Sequence, residues 1–164
     1  VKMFGKEQVE VVLTGDTFDM AYQSAIQDCQ HNQKTFIHPF DDEAVIAGQG
    51  TVGYEMLQQL KEPLDYIFIP VGGGGLSAGV GSYVKQIHPE TKIIGVEPAG
   101  APAMHQSLQK GEVVTLPHID KFVDGASVQR VGEKTFEICK SRFARCKTIY
   151  IYNFYIHRSE FSIT

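Results

Sequence analysis

The chain has 164 residues, 43% of them hydrophobic, with a formal net charge of -4 and a pI near 5.8. That length and apolar content suit a globular domain with a real core and exclude a disordered chain. The acidic balance leaves no basic field for a nucleic-acid backbone or an anionic membrane surface, so a small molecule is the expected partner.

In chain order, Val9 to Leu13 is short and β-branched and predicts a strand, and Thr14-Gly15-Asp16 supplies a turn and a helix start. Phe18, Ala21, Tyr22, Ala25, Ile26 and Cys29 then recur at three- and four-residue spacing. This predicts a helix with one buried face and with Asp19, Gln23 and Gln27 toward water. Thr35-Phe36-Ile37 restarts a strand, giving a first βαβ unit. His38-Pro39-Phe40-Asp41-Asp42 breaks the pattern and ends in an acidic helix-start cluster. Gly48-Gln49-Gly50-Thr51 is expected to bend the helix that follows, and Val52, Met56, Leu57 and Leu60 to form its core stripe before Glu62-Pro63 ends it.

Tyr66 to Val96 is the most informative stretch. An apolar run, Tyr66-Ile67-Phe68-Ile69-Pro70-Val71, leads into Gly72-Gly73-Gly74-Gly75, a helical pattern, and a second apolar run, Lys92 to Val96. This reads as strand, loop, helix, strand. Four glycines in a row let backbone N–H groups converge on an anion with no Cβ in the way. The helix from Leu76 aims its unpaired amides and the positive end of its dipole at the same spot, so a phosphate is the expected guest. Leu76, Val80, Val84 and Ile87 mark the buried face of that helix, and Ser77, Ala78, Gly79 and Gly81 are small enough for close approach to the sheet. His88-Pro89 stops it.

Glu97-Pro98 stands at the carboxyl end of the second strand, where open α/β sheets place their ligand crevice. Pro102 to Lys110 predicts a helix closed by Gly111, Val113 to Leu116 an extended segment, and Val131 to Cys139 a further helix. Strands alternating with helices argue for an α/β fold, a mostly parallel sheet with helices on both faces. Arg142 to Thr164 differs in character: Thr148 to Ile156 is dense in aromatics with no turn signal, and reads as an edge strand or as foreign sequence.

No run is long enough to span a bilayer and no secretory pattern opens the chain, so a cytoplasmic location is expected. Cys29, Cys139 and Cys146 make an odd count with no C-x-x-C pair, against a disulfide framework or a zinc site. His38, His88, His105 and His118 lack metal-ligand spacing, and Asp41-Asp42-Glu43 reads as helix N-terminal charge. Two ligand readings of the glycine loop stay open beside a plain tight turn. One is a phosphate cradle. The other is a dinucleotide site built on Gly73-x-Gly75-x-x-Ala78, with Glu97 as the ribose acid or else as a solvated carboxylate. No Gly-Lys-Ser or Gly-Lys-Thr follows the glycines, which excludes a P-loop.

The segment Ile69 to Gly79 resembles the tetraglycine loop of the pyridoxal-phosphate enzymes of the tryptophan synthase β fold type (fold-type II). Pro39-Phe40-Asp41-Asp42, Val45-Ile46-Ala47-Gly48-Gln49-Gly50-Thr51, Gly95-Val96-Glu97-Pro98 and Asp124-Gly125-Ala126 add a resemblance to the threonine dehydratase and serine racemase branch. The resemblance runs from about Val1 to about Cys139. It implies that Gly72, Gly73, Gly74, Gly75 and Leu76 offer backbone amides to the phosphate of pyridoxal 5'-phosphate. It also implies an enzyme, a carbon-nitrogen lyase, that converts L-threonine, and L-serine, to 2-oxobutanoate or pyruvate and ammonia in isoleucine biosynthesis, as a homo-oligomer.

The departures from the family pattern shape the expectation for this chain. The family's Schiff-base lysine sits in a serine-phenylalanine-lysine context that none of the eleven lysines here has, so no catalytic residue is assigned. The Ser-Gly-Asn-His segment and the group that meets the pyridine nitrogen are also missing. With Val1 in first place, these gaps predict an internal fragment, inactive alone: residues 1–141 a partial catalytic domain, residues 142–164 a divergent tail. In the racemase branch a divalent cation is held near Glu97, the Ala101 carbonyl and an acid at the position of Ala103. Alanine supplies no carboxylate, so no metal is expected. A racemase-like enzyme, a non-catalytic remnant and a nucleotide-binding module are the alternatives.

Overall fold

The computed structural model describes residues 1–60, 62–142 and 149–151. The chain forms two compact units that divide between His38 and Pro39.

The first unit holds α1 (Lys2–Gly5), a 3-10 turn (Lys6–Gln8) and α2 (Phe18–His31). Thr17 caps α2, its hydroxyl accepting the Met20 amide at 3.2 Å. Tyr22 on α2 meets the edge of the Phe36 ring at 5.5 Å and lies 5.2 Å from His38. The face predicted from the periodicity is half-buried at Ala21, Tyr22, Ala25, Ile26 and Cys29, whereas Phe18 is exposed and Asp19, expected in water, is half-buried. The strands expected at Val9–Leu13 and Thr35–Ile37 do not form, and with them the first βαβ unit. Leu13 is 91% and Ile37 73% exposed. β-branched residues favour extended backbone, but a strand exists only where a neighbour takes its N–H and C=O groups, and neither segment has a ladder partner among the described residues.

The second unit runs α3 (Glu43–Gln59), β1 (Tyr66–Pro70), α4 (Gly75–Ile87), β2 (Lys92–Pro98), α5 (Ala103–Lys110), a 3-10 turn (Asp124–Ala126), α6 (Glu133–Arg142) and β3 (Ile149–Ile151). Its sheet is parallel in the order β1-β2-β3, with Ile67 opposite Ile93, Ile69 opposite Gly95 and Val96 opposite Ile149. The parallel α/β architecture is the one expected, and β1-α4-β2 is its crossover unit. Ile149–Ile151 takes the edge position; the rest of the aromatic stretch lies outside the described residues. Ile67, Ile69 and Ile93 bury against Val80 and Val84 of α4, Met104 of α5 and Phe136 of α6. The alternate residues of β1, Tyr66 and Phe68, are exposed.

Helix α3 corrects the expectation of a bend. It is continuous through Gly48, Gly50 and Gly53, because two of these glycines face α4 at close range. A Cβ on Gly50 would stand 3.3 Å from the Gly79 carbonyl oxygen, and one on Gly53 3.3 Å from Val84 Cγ2. From the other side, a Cβ on Gly79 would overlap the Ile46 carbonyl oxygen. The small residues of α4 thus admit α3 as well as fitting the sheet. The buried stripe of α3 is Ile46, Gly50 and Gly53, with Met56 and Leu57 packed beside it, while Val52 and Leu60 are exposed. On α4, Val80 and Val84 are buried as expected but Ile87, in the last turn, is exposed.

Candidate functional site

The glycine loop begins while the chain is still in the sheet: the Val71 amide donates to the Val96 carbonyl at 2.9 Å. Gly72 and Gly73 then bend, and Gly74, at φ +99°, precedes the first residue of α4. A side chain is strained at that angle, which explains glycine there. Ala78 donates to the Gly74 carbonyl at 2.9 Å, the first bond of the helix. No acceptor among the described residues takes the amide hydrogens of Gly72, Gly73, Gly74, Gly75, Leu76 or Ser77. Gly73, Gly74, Gly75 and Ser77 are nevertheless buried. Amides without partners in buried residues are costly, and an external acceptor at this helix start would satisfy them. An anion with several oxygens fits it.

Two of the sequence motifs converge on the loop. The Phe40 ring lies where a Cβ on Gly73 would be 2.5 Å away, and the Phe40 Cβ where one on Gly75 would be 2.9 Å away. Ala126, of the Asp124-Gly125-Ala126 turn, backs Gly72 with its Cα 3.1 Å from the same construction. Met104 Cε and Thr135 Oγ1 both stand 2.8 Å from a Cβ on Gly74. The glycines therefore let Phe40, Ala126, Met104 and Thr135 close on the loop.

The acidic run at Asp41-Asp42-Glu43 holds helices, as its reading as N-terminal charge expects. Asp42 Oδ1 accepts the Ala44 and Val45 amides at 2.9 and 3.1 Å and caps α3. Asp41 reaches a different helix: Oδ2 accepts the Glu133 amide and Oδ1 the Thr135 amide, each at 3.0 Å, at the start of α6. Glu43 pairs with Lys134 at 2.8 Å on the surface. Thr135, fully buried, donates its hydroxyl to the Gly73 carbonyl at 2.7 Å, and the Gly132 amide adds a second bond to that oxygen at 3.2 Å.

Glu97 is neither a solvated carboxylate nor turned toward the glycine amides. It is 3% exposed, and its two oxygens accept the amides of Met104 and His105, each at 2.8 Å, capping α5. Burial pushes its carboxyl up to about 7, against the opposing pull of the two amides. Both oxygens being engaged, the ribose role of a dinucleotide fold is not what this geometry offers. Ala101 and Ala103 are buried, and the described residues hold no cluster of three or more His, Cys, Asp or Glu suited to a metal. Cys29 and Cys139 form no disulfide among the described residues. No described helix is long and apolar enough to cross a membrane.

Thr135, Gly132 and the long reach of Asp41 were not legible as parts of the site. One signal was present: the helix beginning near Val131-Gly132 has no Ser, Thr, Asp or Asn just before it, so its cap had to come from elsewhere in the chain.

Comparison with known proteins fits this geometry. The chain is 58% identical over 140 residues to the biosynthetic L-threonine dehydratase of Halalkalibacterium halodurans, an alignment covering 85% of this chain and 34% of that relative. The chain thus spans about a third of the length of the curated relative it matches. Among solved structures, the processed form of threonine deaminase isoform 2 from Solanum lycopersicum matches with a TM-score of 0.78 and 48% identity, over 85% of this chain and 40% of that one. Maize serine racemase matches with a TM-score of 0.73 and 29% identity, over 84% of this chain and 42% of that one. The sequence family described as pyridoxal-phosphate dependent enzyme matches residues 1–149, nearly the whole of the described chain, and the chain belongs to that family.

Proposed function

We propose that residues 72–76 of this chain hold the phosphate of pyridoxal 5'-phosphate, and that the enzyme to which the chain corresponds dehydrates and deaminates L-threonine, and L-serine, in the cytoplasm for isoleucine biosynthesis. The observation that carries the reading is the run of unpartnered amides at the start of α4, three of the five in the buried residues Gly73, Gly74 and Gly75. Those donors bind the anion, the α4 dipole favours its charge, and Gly74 at φ +99° keeps the turn tight enough for the amides to point at one place. When bound, the pyridine ring supplies the electron sink that lets an α-proton leave an amino acid. The 58% identity to a threonine dehydratase supports threonine as the substrate. Amino-acid racemisation is the second reading, supported by the likeness to maize serine racemase.

Residues 1–141 are read as part of the catalytic domain, residues 142–164 as a divergent tail, and the intact enzyme as a homo-oligomer. No lysine of the chain has the family's Schiff-base context, so the chain alone should bind the cofactor without turning over substrate. In a thermal-shift titration, pyridoxal 5'-phosphate should raise the midpoint and NAD should not. With threonine present, 2-oxobutanoate should stay at the level of free cofactor. A midpoint raised by NAD alone, or by neither compound, would sink the cofactor assignment.

A further inference from the structure

We infer that Thr135 is a positioning residue of the phosphate cradle, acting through the Gly73 carbonyl; the inference rests on the cofactor reading above. Among the described residues, the Gly73 carbonyl oxygen accepts two hydrogen bonds, from Thr135 Oγ1 at 2.7 Å and from the Gly132 amide at 3.2 Å. The peptide joining Gly73 to Gly74 is trans, so its C=O and N–H point in opposite directions. Holding the carbonyl toward the start of α6 therefore turns the Gly74 N–H away from α6. Glycine at 73 and 74 makes this peptide plane free to rotate, and rotation would aim a carbonyl oxygen where an anion needs a donor. The hydroxyl of Thr135 stops that rotation.

Thr135 is itself fixed. Its amide donates to Asp41 Oδ1 at 3.0 Å, and its hydroxyl also lies 3.1 Å from the Gly132 carbonyl. Asp41 thus sets the first turn of α6, α6 sets Thr135, and Thr135 sets the peptide of the loop. None of these side chains needs to touch the ligand.

The test compares pyridoxine 5'-phosphate with pyridoxine, which lack the aldehyde and so cannot react with surface lysines. The ratio of their dissociation constants for the full chain reads the contribution of the phosphate. Wild type should show a clear preference for the phosphorylated compound. T135V, which keeps the shape and loses the donor, should lower the ratio about tenfold with the pyridoxine constant unchanged. T135S, which keeps the hydroxyl, should stay close to wild type. A folded T135V with the wild-type ratio, or a folded T135S that loses as much as T135V, overturns the inference and leaves the cofactor reading standing. No preference in wild type overturns both. Should circular dichroism show T135V unfolded, D41N decides: a lowered ratio supports the chain of contacts, and an unchanged one ends it.

Discussion

Glu97 accepts the amide of Met104 at 2.8 Å, and the Met104 methyl group in turn lies 2.8 Å from where a Cβ on Gly74 would stand. A carboxylate at the end of β2 is thereby linked, through the first turn of α5, to the underside of the glycine loop.

That linkage predicts a dependence of stability on pH. The Glu97 carboxyl rises from 4.5 to about 7 on folding, so the folded state holds its proton more tightly than the unfolded chain. Its contribution is full below pH 4.5 and is lost as the pH rises through 7, by about 3 kcal/mol in order of magnitude. Urea midpoints at pH 5 and pH 8 should differ more for wild type than for E97Q, which keeps an acceptor and does not titrate. Equal differences in the two proteins would show that Glu97 is not the source.

Two glycine substitutions should have opposite signs. G74A forces a side chain to φ +99° and places its Cβ against Met104 and Thr135, which should cost about 2 to 4 kcal/mol. G48A sits in the exposed middle of α3 with nothing within 4 Å of the new Cβ, and should stabilise by about 0.5 to 1 kcal/mol. Chemical denaturation of the two variants checks both; a stabilising G74A would contradict the backbone assignment of the loop.

The adjacent acids should separate by the helix each one holds. D42A removes a local cap from α3 and should cost about 1 kcal/mol, with no change in the preference for a phosphorylated ligand. D41A removes two bonds at the start of α6 and should cost about 2 kcal/mol while lowering that preference. Denaturation midpoints and the paired ligand titration distinguish them. The assignment fails if D42A is the variant that weakens ligand binding.

What could be read from the sequence was local. The β1-loop-α4-β2 unit follows from apolar runs, glycines and a stop at His88-Pro89, and Gly111 at φ +80° closes α5 as its position predicts. Whatever depended on a partner distant in the chain was hidden. Val9–Leu13 has strand composition but no ladder partner among the described residues, Gly50 and Gly53 could not show that they face α4, and Glu97 gave no sign that it would turn back onto α5. Periodicity reports which face of an element is apolar, and not what arrives to cover it.

Asp41 and Asp42 are neighbours, yet they start helices at residues 43 and 133. α3 can therefore close its first turn as soon as it is synthesised, whereas α6 obtains its cap only after a loop of some ninety residues has closed. The shape of the glycine loop is accordingly settled late: until residues 132 to 135 have left the ribosome, neither of the two donors to the Gly73 carbonyl is present. A nascent chain should pair β1 with β2 before it becomes competent to take up an anion.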